Sequence, residues 1–214
     1  MLKEKIMKIL HSIKEFIDQN YQTPKGLVGT YIVEKMVRQH KPETEWTIGL
    51  LDLQDQDCVL ELGCGAGYAI QMISERYLVQ EIVGIDLSAT AIRSATARNK
   101  KTMNNERTKL IQADFKDLPF PDKMFNKVYS IQTIYFWNEI NTIVSEIYRV
   151  LMSGGMVVIT FSNGKDNETW EGVKEVSENQ VMPFMRETGF KDVSLVKGPD
   201  SRGFHTVSIK GTKK

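Results

Sequence analysis

The chain has 214 residues, of which 41% are hydrophobic and 26% charged, and its formal net charge at pH 7 is +1. These values are typical of one soluble globular domain, and so balanced a charge gives no electrostatic argument for a nucleic-acid partner. The sequence contains no apolar run long enough to span a membrane, and charged residues interrupt the first twenty positions where a signal peptide would be apolar. We therefore expect a cytoplasmic protein with no membrane or nucleic-acid partner.

The first 53 residues carry a helical pattern. Apolar residues recur every three or four positions between Leu2 and Ile17, which predicts an amphipathic helix that packs on the core. Helical spacing resumes after a loop rich in glycine and proline, and Pro42 divides this part into a second helix and a short third one. We expect residues 1–53 to be an N-terminal helical extension and residues 54–214 to be the core domain.

A glycine-rich loop follows the first predicted strand. Residues 58–62 form an apolar run that is typical of a buried parallel strand, and Gly63, Gly65 and Gly67 follow at every second position. Helical spacing resumes directly after them. A loop of this kind at a helix N-terminus lets backbone N–H groups approach a ligand closely, which indicates a nucleotide-type site.

The two cysteines do not indicate a disulfide or a metal. Cys58 and Cys64 flank the first predicted strand, so the extended residues between them hold their side chains too far apart for a disulfide. No histidine lies close to them in the sequence to complete a zinc site. We expect no metal, and free thiols fit a reducing compartment.

The spacing of the loop separates the kinds of nucleotide site. A dinucleotide fingerprint requires Gly or Ala where this chain has Tyr68, and no Gly-Lys-Ser/Thr follows to make a phosphate-binding P-loop. An acid, Glu61, precedes Gly63 by two positions. Glu-x-Gly-x-Gly-x-Gly resembles motif I of the class I S-adenosylmethionine-dependent methyltransferases. The alternative is a glycine-rich turn that binds no ligand.

Two further acids follow the next predicted strands. Asp86 ends the second strand, where an acid in a Rossmann-like sheet accepts hydrogen bonds from ribose hydroxyls. Asp114 ends the third strand and resembles the family position that binds the adenine amino group. The resemblance therefore implies S-adenosyl-L-methionine as the cofactor. It implies a cofactor-binding set of Glu61, Gly63, Cys64, Gly65, Gly67, Asp86, Leu87, Asp114, Phe115 and Ile131.

From residue 58 onward, strands alternate with helices, which predicts a parallel sheet covered on both faces. We expect a fifth strand at 156–161, a polar surface loop at 163–172, and a final hairpin of strands 193–196 and 204–209. The resemblance covers about residues 57–211. It implies an α/β fold with a Rossmann-like, doubly wound, seven-stranded sheet whose last strand is antiparallel.

Three consecutive aromatic residues, Tyr135, Phe136 and Trp137, follow the fourth predicted strand. One face of a helix or strand cannot bury all three, so we expect one or two of them to face a pocket at the open edge of the sheet. The segment also lacks the Asn/Asp-Pro-Pro-Tyr motif of family members that methylate adenine or amide nitrogens. The resemblance thus favours a small-molecule acceptor, and we expect the N-terminal helices to cover it as a lid, with Tyr31 or Tyr21 near the aromatic residues.

A general base is required only if the acceptor atom carries a proton. His11, His205, Tyr68 and Tyr135 are candidates, but the sequence shows no partner for any of them, so no catalytic residue is assigned. The main alternative is a non-catalytic module that binds S-adenosylmethionine as a sensor or partner subunit. A dehydrogenase is a third reading, and the position of Gly67 opposes it. The acceptor and the oligomeric state stay open.

Overall fold

A computed structural model of the chain describes residues 26–103 and 106–214. The predicted first helix and Tyr21 lie outside the described residues. Two helices, α1 (Gly26–Gln39) and α2 (Lys41–Leu50), precede the first strand, as the sequence predicts. Pro42 lies in the first turn of α2, where its missing N–H leaves no helical hydrogen bond unmade.

Strands and helices then alternate along the chain. The strands are β1 (Cys58–Leu62), β2 (Glu81–Asp86), β3 (Thr108–Gln112), β4 (Phe125–Ile131), β5 (Leu151–Lys165), β6 (Glu168–Thr169), β7 (Phe190–Lys197) and β8 (Phe204–Lys213). The later helices are α3 (Tyr68–Arg76), α4 (Ala89–Met103), α5 (Ile140–Val150), α6 (Glu171–Val176) and α7 (Met182–Thr188). Within the described ranges, no helix has the length and apolar character needed to cross a bilayer.

The sheet has the strand order β3-β2-β1-β4-β5-β8-β7, and β6 pairs with β5 outside this path. Strands β1 to β5 are mutually parallel, whereas β8 is antiparallel to both of its neighbours. This arrangement confirms the Rossmann-like α/β fold with an antiparallel last strand. The number of strands in this path, seven, is the predicted one, and the two-residue β6 is an addition. The carboxyl ends of β1, β2 and β4 meet at one edge of the sheet.

The prediction of a surface loop at 163–172 is wrong. Strand β5 continues through Lys165, which pairs with β8, and Gly164 pairs with Thr169 of β6. Backbone groups make these pairs, so polar side chains at the exposed end of a strand do not prevent them. A Cβ atom at Gly164 would lie 2.3 Å from the carbonyl oxygen of Glu168, so glycine permits the close approach of the two strands.

Side chains of β1 alternate between two apolar layers. Leu60 and Leu62 face the layer formed with α5 and α7, whereas Val59 faces the layer formed with α2, α3 and α4. Alternation along the strand places Glu61 on the same face as Val59. Ile48 and its neighbour Leu51, at the end of α2, are buried in that layer, so α2 packs into the core. The domain boundary after residue 53 stays a prediction.

Candidate active site

A cavity of about 380 Å³ lies at the carboxyl ends of β1, β2 and β4. Most of the residues predicted to bind a cofactor meet there. The predicted residues in its lining are Glu61, Gly63, Cys64, Gly65, Asp86, Leu87, Asp114, Phe115, Ile131 and Phe136. Further lining residues that the sequence did not single out include Val37, His40, Thr44, Lys116, Gln132, Thr133 and Asn138.

The glycine loop forms one wall of this cavity and is fixed to β2. The backbone N–H groups of Gly63 and Cys64 both donate to the carbonyl oxygen of Ile85, each at 2.9 Å. Gly63 has a φ of 79°, and a Cβ atom there would lie 2.5 Å from Cγ2 of Thr133. A side chain at this position would therefore both strain the backbone and collide with the turn after β4.

Gly67 lies outside the cavity lining and supports the loop from behind. A Cβ atom at Gly67 would lie 2.5 Å from Nδ2 of Asn99 and 2.9 Å from Cβ of Ala95, both in α4. The Asn99 amide also donates to the carbonyl oxygen of Gly67 at 2.9 Å. The missing side chain thus lets the loop pack directly on α4.

Asp86 is held in place by two backbone N–H groups. Gly65 N–H donates to Oδ2 at 3.0 Å, and Ser88 N–H donates to Oδ1 at 2.8 Å. Burial raises the pKa of Asp86, and the hydrogen bonds from Ser88 and Gly65 act in the opposite direction. A carboxylate has about four lone-pair sites, so the side chain keeps capacity to accept hydroxyl groups of a ligand in the cavity.

Glu61 is a buried carboxyl group at the base of the cavity. Its Oε2 atom has no hydrogen-bond partner within the described part of the chain. Burial raises the pKa of Glu61 to about 8, the neighbouring Tyr129 hydroxyl lowers it, and the charge of Asp86 raises it further. A buried carboxyl group with an unpaired oxygen beside a cavity fits a cationic ligand group. Together with Asp86, it fits a nucleoside that carries an ammonium group.

Asp114 and Phe115 lie on the β3 side of the cavity. The backbone N–H of Lys116 donates to Oδ1 of Asp114 at 3.0 Å, which fixes the carboxylate. The Lys116 ammonium lies 2.8 Å from Oε1 of Glu139 and 3.9 Å from Oδ2 of Asp114. Its charge is therefore shared between the two carboxylates at the rim.

The aromatic triplet separates at a short 3₁₀ turn, Ile134–Phe136. Phe136 lines the cavity and is 41% exposed. Trp137 is 5% exposed, and its ring N–H donates to Oγ1 of Thr133 at 3.1 Å, while the Tyr135 hydroxyl donates to the carbonyl oxygen of Ser162 at 2.9 Å. Tyr31 is 68% exposed on α1. The structure thus places Phe136 at the cavity and Tyr31, Tyr135 and Trp137 outside its lining.

The residues considered as bases lie at different places. His205 lies outside the cavity lining with Nε2 2.7 Å from the carbonyl oxygen of Asp166, and His11 is outside the described residues. Burial raises the pKa of Tyr135 to about 12, which keeps its hydroxyl protonated. Tyr68 lines the cavity. His40, which the sequence did not suggest, lines it as well.

A family model of the methyltransferase domain matches residues 60–159, the segment from β1 into β5 that contains the glycine loop and all three acids. This match spans slightly less than half of the chain, and together with the fold and the site it supports placing the chain in the class I S-adenosylmethionine-dependent methyltransferases. It is an enzyme of that class, and S-adenosyl-L-methionine is its cofactor.

Individual methyltransferases are similar to this chain. The uncharacterized methyltransferase YdaC of Bacillus subtilis is 28% identical over 160 residues, which are 75% of this chain and 86% of YdaC. Fatty-acid O-methyltransferase of Mycolicibacterium smegmatis is 30% identical over 114 residues, covering 53% of this chain and 40% of that enzyme. The crystal structure of an S-adenosylmethionine-dependent methyltransferase from Aquifex aeolicus has the same fold, with a TM-score of 0.70, 17% identity, and coverage of 86% of this chain and 98% of that one. These matches give no support to a non-catalytic binding module.

Proposed function

We propose that the enzyme methylates a small-molecule acceptor that enters the cavity beside Phe136. The observation that carries this proposal is the cavity of about 380 Å³ that joins the three acids to Phe136 and the N-terminal helices. Its size falls in the range of sites for small ligands. The similarity to a fatty-acid O-methyltransferase supports such an acceptor, and the net charge of +1 gives no support to nucleic acid.

The order of strands supports an orientation for the cofactor. Asp86 ends β2 and Asp114 follows β3, on one half of the sheet. The adenosine part therefore belongs there, with ribose hydroxyls at Asp86 and the adenine amino group at Asp114. Glu61 lies nearer the centre of the sheet and suits the ammonium group of the amino-acid part. The acceptor then belongs on the β4 side, where Phe136 lines the cavity.

The chain has a modest chemical task. When bound, S-adenosylmethionine supplies a methyl group on a sulfonium, and its leaving group is neutral. The protein must therefore hold the acceptor in line with the methyl group and exclude water, so that orientation gives most of the rate enhancement. Val37, Phe136 and Ile143 give the cavity an apolar wall that suits this purpose.

Replacement of Asp86 tests the cofactor site. Two charge-assisted hydrogen bonds to ribose hydroxyls are worth roughly 1.5–3 kcal/mol each. Asp86→Ala should therefore weaken the binding of S-adenosylmethionine at least about tenfold in calorimetry. Asp55→Ala, which removes an exposed carboxylate outside the cavity, should have no effect. Equal dissociation constants for the wild type and Asp86→Ala would refute the ribose role.

The acceptor class is tested with cofactor labelled in the methyl group. The enzyme is incubated with an extract of cellular metabolites, and in parallel with a protein fraction and a nucleic-acid fraction. We expect label in a compound of the metabolite extract. Label only in the protein or nucleic-acid fraction would contradict the small-molecule assignment.

A further inference from the structure

Glu43, in the first turn of α2, is a fully buried carboxylate beside the cavity wall, at 0% exposure. Neither of its carboxylate oxygens has a hydrogen-bond partner within the described residues. The basic groups near it within the described residues are Nδ1 of His40 at 3.7 Å and the guanidinium of Arg202 at 3.9 Å, both measured to Oε1. A buried charge is costly unless it is compensated. Burial acts to raise the pKa of Glu43, but His40 and Arg202 help to hold it below its ordinary value.

His40 connects this carboxylate to the cavity. It lies between α1 and α2 and lines the cavity, while its Nδ1 atom is fully buried on the side of Glu43. The His40 side chain still keeps 25% of its surface exposed. Because Nδ1 is buried, that exposure comes from the rest of the side chain, which includes Nε2. His40 therefore has a buried nitrogen beside a buried carboxylate and is itself part of the cavity lining.

The pair lies on the half of the sheet that we assign to the acceptor. Helix α2 is tied to β5 by a hydrogen bond of 2.7 Å from Thr47 Oγ1 to Thr160 Oγ1. Arg202 reaches Glu43 from the loop between β7 and β8. Asp86 ends β2 and Asp114 follows β3, and both of these strands lie on the other side of β1. The contacts of Thr47 and Arg202 thus place the pair toward β5 and the loop before β8.

We propose that His40 is the general base of the reaction and that Glu43 is its positioning residue, an inference that rests on the proposed function. The acceptor is then a hydroxyl or amine compound, whose nucleophilic atom carries a proton. The lone pair of that atom forms the bond to the methyl carbon, the pair of the broken carbon–sulfur bond stays on sulfur, and the proton moves to Nε2 of His40. Glu43, whose Oε1 lies 3.7 Å from Nδ1 of His40, stabilises the resulting imidazolium through its negative charge.

Acylation by diethyl pyrocarbonate measures the reactivity of His40 without any acceptor. The rate at each histidine is followed by peptide mass spectrometry at neutral pH. We expect Glu43→Gln to slow the acylation of His40 several-fold, because the ring loses the carboxylate that makes Nε2 more nucleophilic. Glu45→Gln, on the exposed side of the same helix, should leave that rate unchanged, and His205 serves as the internal reference. A His40 that does not react, or that reacts equally in Glu43→Gln, would overturn the proposal.

Turnover gives the second readout, with labelled cofactor and the acceptor found in the metabolite extract. General acid–base catalysis contributes roughly 10²–10⁴-fold, so His40→Gln should lower kcat by at least about 100-fold. Glu43→Gln should lower kcat by a smaller factor, and the dissociation constant of S-adenosylmethionine should stay within about twofold of the wild type in both variants. Unchanged kcat in His40→Gln overturns the base but not the proposed function. If no compound in the extract is methylated, the proposed function fails, and the acylation rates still decide whether Glu43 activates His40.

Discussion

The perturbed carboxyl group of Glu61 makes a quantitative prediction about stability. Its pKa is about 8 in the folded chain, against an ordinary value of 4.5. Between these two pH values the unfolded chain has lost the proton that the folded chain still holds, so the wild type loses stability as the pH rises. Each pH unit between the two pKa values corresponds to about 1.4 kcal/mol of lost stability. The slope is smaller close to either pKa, so the total loss between pH 5 and pH 8 is about 3 kcal/mol.

Glu61→Gln removes this titration, because an amide of similar shape carries no charge. The free energy of unfolding should therefore rise by about 3 kcal/mol relative to the wild type as the pH goes from 5 to 8. Urea unfolding of both proteins across this range measures the difference. Glu187→Gln, at an exposed position of α7, is the matched control and should follow the wild type. Parallel curves for Glu61→Gln and the wild type would show that Glu61 ionises normally in the folded chain.

The same group predicts proton release when the cofactor binds. An ammonium group next to Glu61 favours the carboxylate, so binding at pH 7 should release close to one proton in the wild type. Calorimetry in two buffers of different ionisation enthalpy measures the number of protons released. Glu61→Gln should release about one proton fewer than the wild type. If both proteins release equally many protons, the ammonium group of the cofactor does not lie at Glu61.

Two further substitutions separate the cofactor site from the scaffold. Gly65 has a φ of 53°, and its N–H donates a hydrogen bond to Asp86, so Gly65→Val should abolish cofactor binding in calorimetry. Gly172→Val is the control and should bind the cofactor normally, because the added side chain meets open space. Wild-type affinity in Gly65→Val would exclude the glycine loop as the cofactor site. Arg149 donates to the carbonyl oxygens of Phe120 at 2.7 Å and Leu118 at 3.0 Å. Arg149→Lys should therefore lower the free energy of unfolding by about 1–3 kcal/mol without changing cofactor affinity. Equal stability of the two proteins in urea unfolding would show that these hydrogen bonds do not stabilise the fold.

The central part of the fold could be predicted because its determinants are local. The apolar run of β1 and the three alternating glycines specify strand, turn and helix within about a dozen residues, and Asp86 follows the next such run. Parallel pairing then brings the strand ends together at one edge without further information. Most of the predicted cofactor residues lie at the cavity for this reason.

The acceptor side could not be predicted in the same way, because contacts between distant segments determine it. Tyr135 turns toward Ser162 of β5, 27 residues further along the chain, so the direction of its ring depends on a partner that no spacing reveals. His40 and Glu43 do show a signal, since residues three apart at a helix start share one face. Whether that face borders a cavity depends on the docking of α2 against β5.

The position of β8 has a consequence for how the chain is made. β8 is the last strand of the sheet in chain order, yet it lies between β5 and β7. During synthesis, β1 to β5 leave the ribosome first and can pair in parallel, while the long edge of β5 stays unpaired until β8 has been made. An unpaired edge of this kind invites pairing with other chains. Incomplete chains that stop before β8 should therefore be prone to aggregation, even though they already contain the whole glycine loop.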